Sequence, residues 1–572
     1  MYRDRSLHTG LAAHRKTFAT AATRHTEIRP SPTRTRRNRL IRARLISVGI
    51  ALCLTLPAAP LLGGDNEITL KGRLNKCKPK HTQGRMTTAC LDALLDNRET
   101  AALLEAIPAI RDGRLSLDAL RTSVARSEVT EAGLVLRNGD ANQDDADDHV
   151  AADGRTPVFL SERELATLEA AEGFAVQAVE LDPDYGPTEL QNYPPPPPPD
   201  PFPLPKPGFT PPPPNPNTLD VGGFLNDFHA AISANVNGYA LKMRHKGETV
   251  GILQWNWARN PNLVDAPALG WNTVRRMHVA SVSKFMTAIG LVHLLEQTGG
   301  LGADDFMAPY LPAYWNRMAG ANEFITFAHL MDHRSGFSTG GSASDWQTMK
   351  ANVEAGVALS SIGNADYENM NFGLIRVLIA TIGGYISPAT DYGFEPYNDL
   401  IWDAVTTAAY EDYMQTYVFN PVGAHPTLDT NLGTVLAYRF DGATAGWNSG
   451  DLSGSAGGVG WHMTITEVLD VTRAFRKGQI VSLGGMADIL QESWGLNSPI
   501  GGESTLAGTT WYKAGRWTTN LDPSVGRTEQ CFVFMMPNEM ELVVFVNSEI
   551  SASGSSLTNL VRTLFANNIV GP

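Results

Sequence analysis

Four cysteines in 572 residues rule out a disulfide scaffold. Charge is sparse as well, at 18% of residues. Cations are concentrated at the start: residues 1–44 carry 12 Lys and Arg against 2 acids, and residues 45–64 carry no charge. With a chain total of −13, that leaves −23 for residues 65–572. A body this acidic lacks the clustered cations that phosphate contact needs, so nucleic acid is excluded as a partner. No repeat of 20–50 residues is evident, which excludes a solenoid. The longest uncharged run, Leu45–Gly64, is broken by Pro57 and Pro60 and falls short of the ~20 apolar residues a membrane span needs. What remains is 43% apolar, enough for a sizeable core.

The basic stretch ending in Arg42 and Arg44, the apolar run and the small pair Ala58-Ala59 together form a secretory signal pattern. The expectation is export, to the periplasm or the medium, with membrane anchoring as the weaker alternative. Arg36-Arg37 has the form of a twin-arginine pair, which Arg-rich tracts produce easily. Leu52 before Cys53 is too large for a lipoprotein cleavage site. Cys77 and Cys90 could pair in an oxidising compartment, whereas Cys531 in CFVFMM reads as a buried thiol.

Composition divides the chain into four parts: the basic n-region and signal segment 1–64, a small acidic region 65–190, a linker 191–217 and a globular body 218–572. Pro194–Pro216 holds 15 prolines in 23 residues. In polyproline II form it is a stiff spacer up to roughly 70 Å long. In the acidic region, Leu91–Ile107 reads as a helix that Pro108 would end, and Ser161–Ala171 as a second with a capping box. Asp140–Asp148 places side-chain oxygens as a calcium loop does, but has Asp145 where such loops carry Gly and Ala151 where they carry Glu. A solvated acidic loop is the reading preferred over a Ca2+ site. Docking to the cell envelope is one use open to 65–190.

In the second body, Gly238–Ala258 reads as a hairpin turning at His245-Lys246-Gly247. Val279–Gln297 reads as a helix with Phe285, Ile289, Val292 and Leu295 on one face. Thr509–Trp517, Glu529–Met536 and Glu541–Asn547 read as strands, followed by a helical tail, Ser555–Asn567. Strands at both ends around a helix-rich middle predict an α+β fold: an antiparallel sheet flanked by helices, with a helix-rich subdomain.

Ser281-Val-Ser-Lys284 opens the Val279–Gln297 helix and is the only Ser-x-x-Lys in the chain. Ser and Lys three apart share a helical face. At a helix start, free N–H groups and the dipole favour negative charge on the serine oxygen. Serine needs a neighbouring base to act as a nucleophile, and a buried Lys one turn on can supply it. Alone, the pattern also arises by chance around an ordinary Ser and a solvated Lys. Tyr367-Glu-Asn369 adds a phenol suited to general-base work and an amide that can orient a carbonyl. Lys513-Ala-Gly515, on a late strand, adds a cation and a residue that lets a substrate approach the backbone.

In that order, the three motifs resemble those of the serine β-lactamases and penicillin-binding proteins. The flanks agree. His278-Val-Ala-Ser-Val-Ser-Lys284 resembles the nucleophile segment, and Ile325–Gly336 (ITFAHLMDHRSG) the family's ITIRHLLTHTSG stretch. Tyr367–Leu374 is similar to its YSNxNYGLL, Phe419–Gly423 to its segment ending in PLGM, and Ser455-Ala-Gly-Gly458 to its SAGG. The resemblance covers roughly 225–568 and is closest to the class C β-lactamase-like group, which includes esterases and D-amino-acid peptidases. It implies a β-lactamase/transpeptidase-like fold and a two-step acyl transfer. Ser281 would attack an ester, amide or lactam carbonyl, and Lys284 and Tyr367 would move its proton. Asn369 would hold the acyl side chain, with Lys513 and Gly515 on the substrate. The backbone N–H groups of Ser281 and Arg516 would form the oxyanion hole, worth ~3 kcal/mol per donor. The implied partner is a small molecule or a cell-wall peptide. No cofactor is required, and no metal-ligand cluster is visible in this body.

The departures from the pattern bear on substrate. Ala514 replaces the usual Thr and removes a hydroxyl that could bind a lactam carboxylate, which favours esterase-like hydrolysis. Lys513, where many esterase-like members have His, leans toward carboxylate-bearing substrates. The alternatives are therefore a D-amino-acid peptidase or carboxypeptidase, a β-lactamase, or a non-catalytic penicillin-binding-like surface protein. Glu368 is charged where the family has a small residue. Finally, Gly336-Phe-Ser338-Thr-Gly340 matches a nucleophile elbow in letters, but a helical stretch precedes it and a loop follows, so Ser338 is set aside.

Overall fold

The computed structural model describes residues 104, 107–122, 148–150, 217–340, 344–393 and 395–571. The signal segment, Cys77 and Cys90, Asp140–Asp147, Ser161–Ala171 and the proline spacer lie outside the described residues. By contact the chain divides into 1–71 and 72–572, and every described residue belongs to the second unit.

The architecture is α+β, as the sequence pattern predicts. Eight strands form one sheet: β1 Asp148–Val150, β2 Gly238–His245, β3 Glu248–Arg259, β4 Leu269–Gly270, β5 Glu503–Thr505, β6 Gly508–Thr518, β7 Thr528–Met536 and β8 Met540–Val546. Their order is β1-β6-β7-β8-β2-β3-β4, with β5 also paired to β6. All neighbours are antiparallel except β1, which runs parallel to β6 with Asp148 opposite Arg516. The first and last long strands of the body thus meet at the β8–β2 seam, where Val544 lies opposite Leu241.

Alternation along the strands sends successive side chains to opposite faces. Leu241, Met243, Ala514, Phe532, Phe534, Leu542 and Val544 face one way. They pack against Phe224, Phe228 and Ile232 of helix α1 (Val221–Ile232) and Val561 and Phe565 of the C-terminal helix. The residues between them, Lys513 and Gly515 included, face the other side.

That side carries the helices that bring the three motifs together. Helix α2 (Val282–Thr298) is buried nearly all round, from Val282 to Leu295, as a helix in the middle of a body must be. Gly299 ends it in the left-handed conformation. Beside it lie α3 (Asn369–Ile382) and α4 (Glu395–Met414), and α5 (Ile465–Arg476) covers β8 and β2. The C-terminal helix is α6 (Leu557–Asn567), capped by Ser556. Helix α2 starts three residues later than the sequence pattern predicts. Met277–His278 instead pairs antiparallel with His462–Met463, and Ala280 takes a left-handed φ of 46°.

Most of the helix predicted over Leu91–Ile107 lies outside the described residues; Ile107 itself is extended, and Pro108 opens a short helix, Pro108–Arg111. A Pro at the first helical position loses no hydrogen bond. This segment sits on the catalytic body. Ala109 donates its N–H to Tyr385 O at 3.2 Å, and Arg114 donates to Gly383 O at 2.9 Å and Gly384 O at 2.6 Å. Among the described residues, no helix is long and apolar enough to cross a membrane.

Candidate active site

Ser281 is the N-cap residue of α2, and its side chain makes no cap hydrogen bond. Its Oγ instead accepts from Lys284 Nζ at 3.0 Å and from Tyr367 OH at 2.9 Å. Lys284, one turn along the same helix, is fully buried and also donates to Gly458 O at 3.0 Å. Tyr367 comes from the loop leading into α3. Lys513 Nζ, on β6, donates to its phenol oxygen at 3.4 Å. The two ammonium groups lie 4.9 and 5.2 Å from the centre of the Tyr367 ring. Four residues from three distant stretches of chain thus meet around two linked hydroxyls, those of Ser281 and Tyr367.

Gly515 makes this approach possible. A Cβ built there would come to 2.4 Å from Val279 O and 3.0 Å from Ser281 N. Only a strand bare of a side chain at that point can press against the start of α2. Ala514 donates its N–H to Asn497 Oδ1 at 3.0 Å, and its side chain joins the core on the far face. The Arg516 side chain forms an ion pair with buried Glu549 through Nε at 2.9 Å. Asn369 is buried at the first position of α3. Gly458 packs on its backbone, where an added Cβ would lie 3.0 Å from Asn369 O.

Three contributors were not legible as site residues from the sequence. His333 has a left-handed φ of 59° and packs its ring against Tyr367, tilted by 32° with ring centres 4.2 Å apart. Burial, aided by the charges of Lys284 and Lys513, pushes its imidazole well below the ordinary value, so it is neutral. Gly457 and Gly458 supply carbonyls. Gly457 O accepts from Thr287 Oγ1 at 2.8 Å, and Gly457 has a φ of 97° with no room for a Cβ beside Phe372 O. Glu368 points away from the nucleophile and takes hydrogen bonds from Thr339 and Gly340. The only signal for the two glycines was the SAGG stretch, and for His333 the ITFAHLMDHRSG stretch. Ser338 is exposed on irregular backbone, with neither the preceding strand nor the following helix of a nucleophile elbow.

The family model for β-lactamase matches residues 226–562. The chain belongs to the β-lactamase family. The matched span holds every residue of the site just described, and the family is one of serine hydrolases related to the penicillin-binding proteins. No curated protein matches the chain. Similar solved structures include an octameric penicillin-binding protein homologue from Pyrococcus abyssi, at 16% identity over 60% of this chain and 76% of that one, with a TM-score of 0.45. A class C β-lactamase from Rhodobacter sphaeroides is 14% identical over 60% of this chain and 97% of its own, with a TM-score of 0.42. A D-amino acid amidase from Ochrobactrum anthropi SV3 is 16% identical over 60% and 98%, with a TM-score of 0.41.

Proposed function

We propose that this β-lactamase-family protein is an exported serine hydrolase working through an acyl-enzyme, with an ester as its preferred substrate. The observation that carries the reading is the Ser281 hydroxyl held at 3.0 Å by a buried lysine and at 2.9 Å by a tyrosine. Ser281 Oγ bonds to the carbonyl carbon as its proton passes to the Lys284–Tyr367 pair. The proton then goes to the leaving group as the bond to that group breaks. The ammonium groups of Lys284 and Lys513 stabilise negative charge on the phenol oxygen, which the proton from Ser281 then neutralises. The N–H groups of Ser281 and Arg516 receive the oxyanion, and Asn369 holds the acyl side chain. Water then releases the acyl group by the reverse proton path.

The ester preference rests on the Lys-Ala-Gly form of the third motif alone, since the Ala514 side chain lies in the core on the far face of the sheet. A second reading, an amide or lactam bearing a carboxylate as in a D-amino-acid peptidase or β-lactamase, is favoured by Lys513 beside the nucleophile. Export rests on the pattern of residues 1–64.

The test is p-nitrophenyl butyrate hydrolysis by the full chain beside Ser281→Ala. The expected loss is at least ~10³-fold. Equal activity in the two proteins would overturn the mechanism. If the ester is untouched but a penicillin acylates the wild type at Ser281, the second reading takes its place.

A further inference from the structure

Two features have no part in acyl transfer: the charged Glu368 between Tyr367 and Asn369, and the Gly336-Phe-Ser338-Thr-Gly340 segment. The fold brings them together. The Glu368 carboxylate is completely buried and accepts from the Thr339 N–H, the Thr339 hydroxyl and the Gly340 N–H, the last at 3.1 Å. Hydrogen bonds to a charged acceptor are roughly twice as strong as neutral ones. A buried carboxylate is costly unless so satisfied, and a small residue would fill this position without that cost.

We propose that Glu368 is a positioning residue that clamps the Thr339–Gly340 loop to the Tyr367–Asn369 segment and thereby sets which acyl groups the site accepts. This rests on the serine-hydrolase reading. The clamp connects to the catalytic groups on both sides. The Glu368 N–H donates to His333 Nδ1 at 3.1 Å, and that imidazole packs against Tyr367. Further along the chain, Ser344 is buried and donates to Ser455 O at 3.4 Å. Its Oγ would lie 3.5 Å from a Cβ on Gly458, the residue whose carbonyl takes Lys284. Gly340 is therefore tied to the residue after Tyr367, and Ser344 to the segment whose carbonyl takes Lys284. Ser338 and Gly340 are exposed, within two residues of the Thr339 anchor. The Thr339–Gly340 anchor is thus fixed through Glu368 to the residue next to it, Asn369, which the mechanism assigns to the acyl side chain.

The test compares the full chain with Glu368→Ala and Glu368→Gln on p-nitrophenyl acetate, butyrate and octanoate. The ratio of kcat/KM for octanoate to that for acetate is expected to change about tenfold or more in Glu368→Ala, as pocket contacts discriminate acyl size. The change should lie mainly in KM, with Glu368→Gln in between because it keeps one acceptor. Amide hydrogen exchange at Thr339 and Gly340 is expected to quicken at least ~10-fold in Glu368→Ala while α2 is unchanged. A parallel fall on all three esters, or unchanged exchange at Thr339 and Gly340, overturns the proposal. If the wild type turns over none of the esters, the ester reading fails. The selectivity ratio is then taken from the rates at which penicillins with small and bulky side chains acylate Ser281, and an unchanged ratio again overturns the clamp.

Discussion

Ser281 occupies a helix N-cap and caps nothing. A serine there ordinarily satisfies a free N–H and contributes ~1 kcal/mol. Here its oxygen is held by Lys284 and Tyr367 instead. Ser281→Ala should therefore abolish turnover with a melting temperature equal to or above that of the wild type, because no cap is lost. A marked drop in melting temperature would show that the hydroxyl is structural. Tyr367→Phe removes the oxygen between Ser281 Oγ and Lys513 Nζ. The expected fall in kcat is about 10²- to 10⁴-fold, with little change in KM. A loss under about tenfold would take the phenol out of the proton path, since acid–base groups of this kind contribute at least ~10². Ser281, Lys284, Tyr367 and Lys513 were legible because each belongs to a short spacing pattern whose chemistry is explicit. His333 and Gly458 were not, because one acts by packing a ring and the other through a carbonyl, and neither leaves a local pattern.

At the scale of elements, strands and helices were legible from their periodicity, but the start of α2 was not. His278 pairs with His462, nearly two hundred residues on, and that partner draws Met277–His278 into a strand and leaves Ala280 left-handed before the nucleophile. Strain of this kind persists only where neighbours over-determine it. Strand β6 is one such neighbour, pressed onto the turn at Gly515. Gly515→Ala must push β6 away from Val279 O, and a shift near 1 Å costs about 10²-fold in turnover. Wild-type kcat in that variant would mean that β6 has slack. One turn beyond Lys284, α2 is held by a polar link. Tyr410 OH lies 2.7 Å from Thr287 Oγ1 and accepts from Trp461 Nε1 at 2.9 Å, all three being buried. Tyr410→Phe leaves the indole N–H without this acceptor, so a loss of about 1–3 kcal/mol is expected. Urea unfolding checks it: the midpoint should fall at constant m-value, and an unchanged midpoint would contradict the link.

At the scale of the molecule, the α+β plan was legible from where strands and helices fall along the chain. The contact of Arg114 with Gly383 and Gly384 was not, because composition marks the acidic region without showing what it touches. Nor was the pairing of buried titratable groups that governs stability against pH. Burial and the charge of Arg276 push His462 down to about 3 from 6.5, and His333 moves the same way. Below pH 6.5 the unfolded chain takes up these protons and the folded chain does not, so stability falls as pH falls toward 3. The slope is about 1.4 kcal/mol per pH unit for each histidine. Burial pushes Glu529 well above 4.5, and Glu541 also upward. Above pH 4.5 the folded chain keeps protons that the unfolded chain has lost, so these carboxyls make stability fall as pH rises. The two trends oppose each other between 4.5 and 6.5 and leave the maximum there, with loss on both sides. Glu529→Gln removes a titrating group without removing its shape. Its urea-unfolding free energy should decline less steeply than the wild type's as pH rises above 4.5, while the loss from the histidines in acid is kept. Equal slopes in that range in the two proteins would mean that Glu529 is ionised in the fold, paired with His278 Nδ1 3.4 Å away rather than neutral beside it.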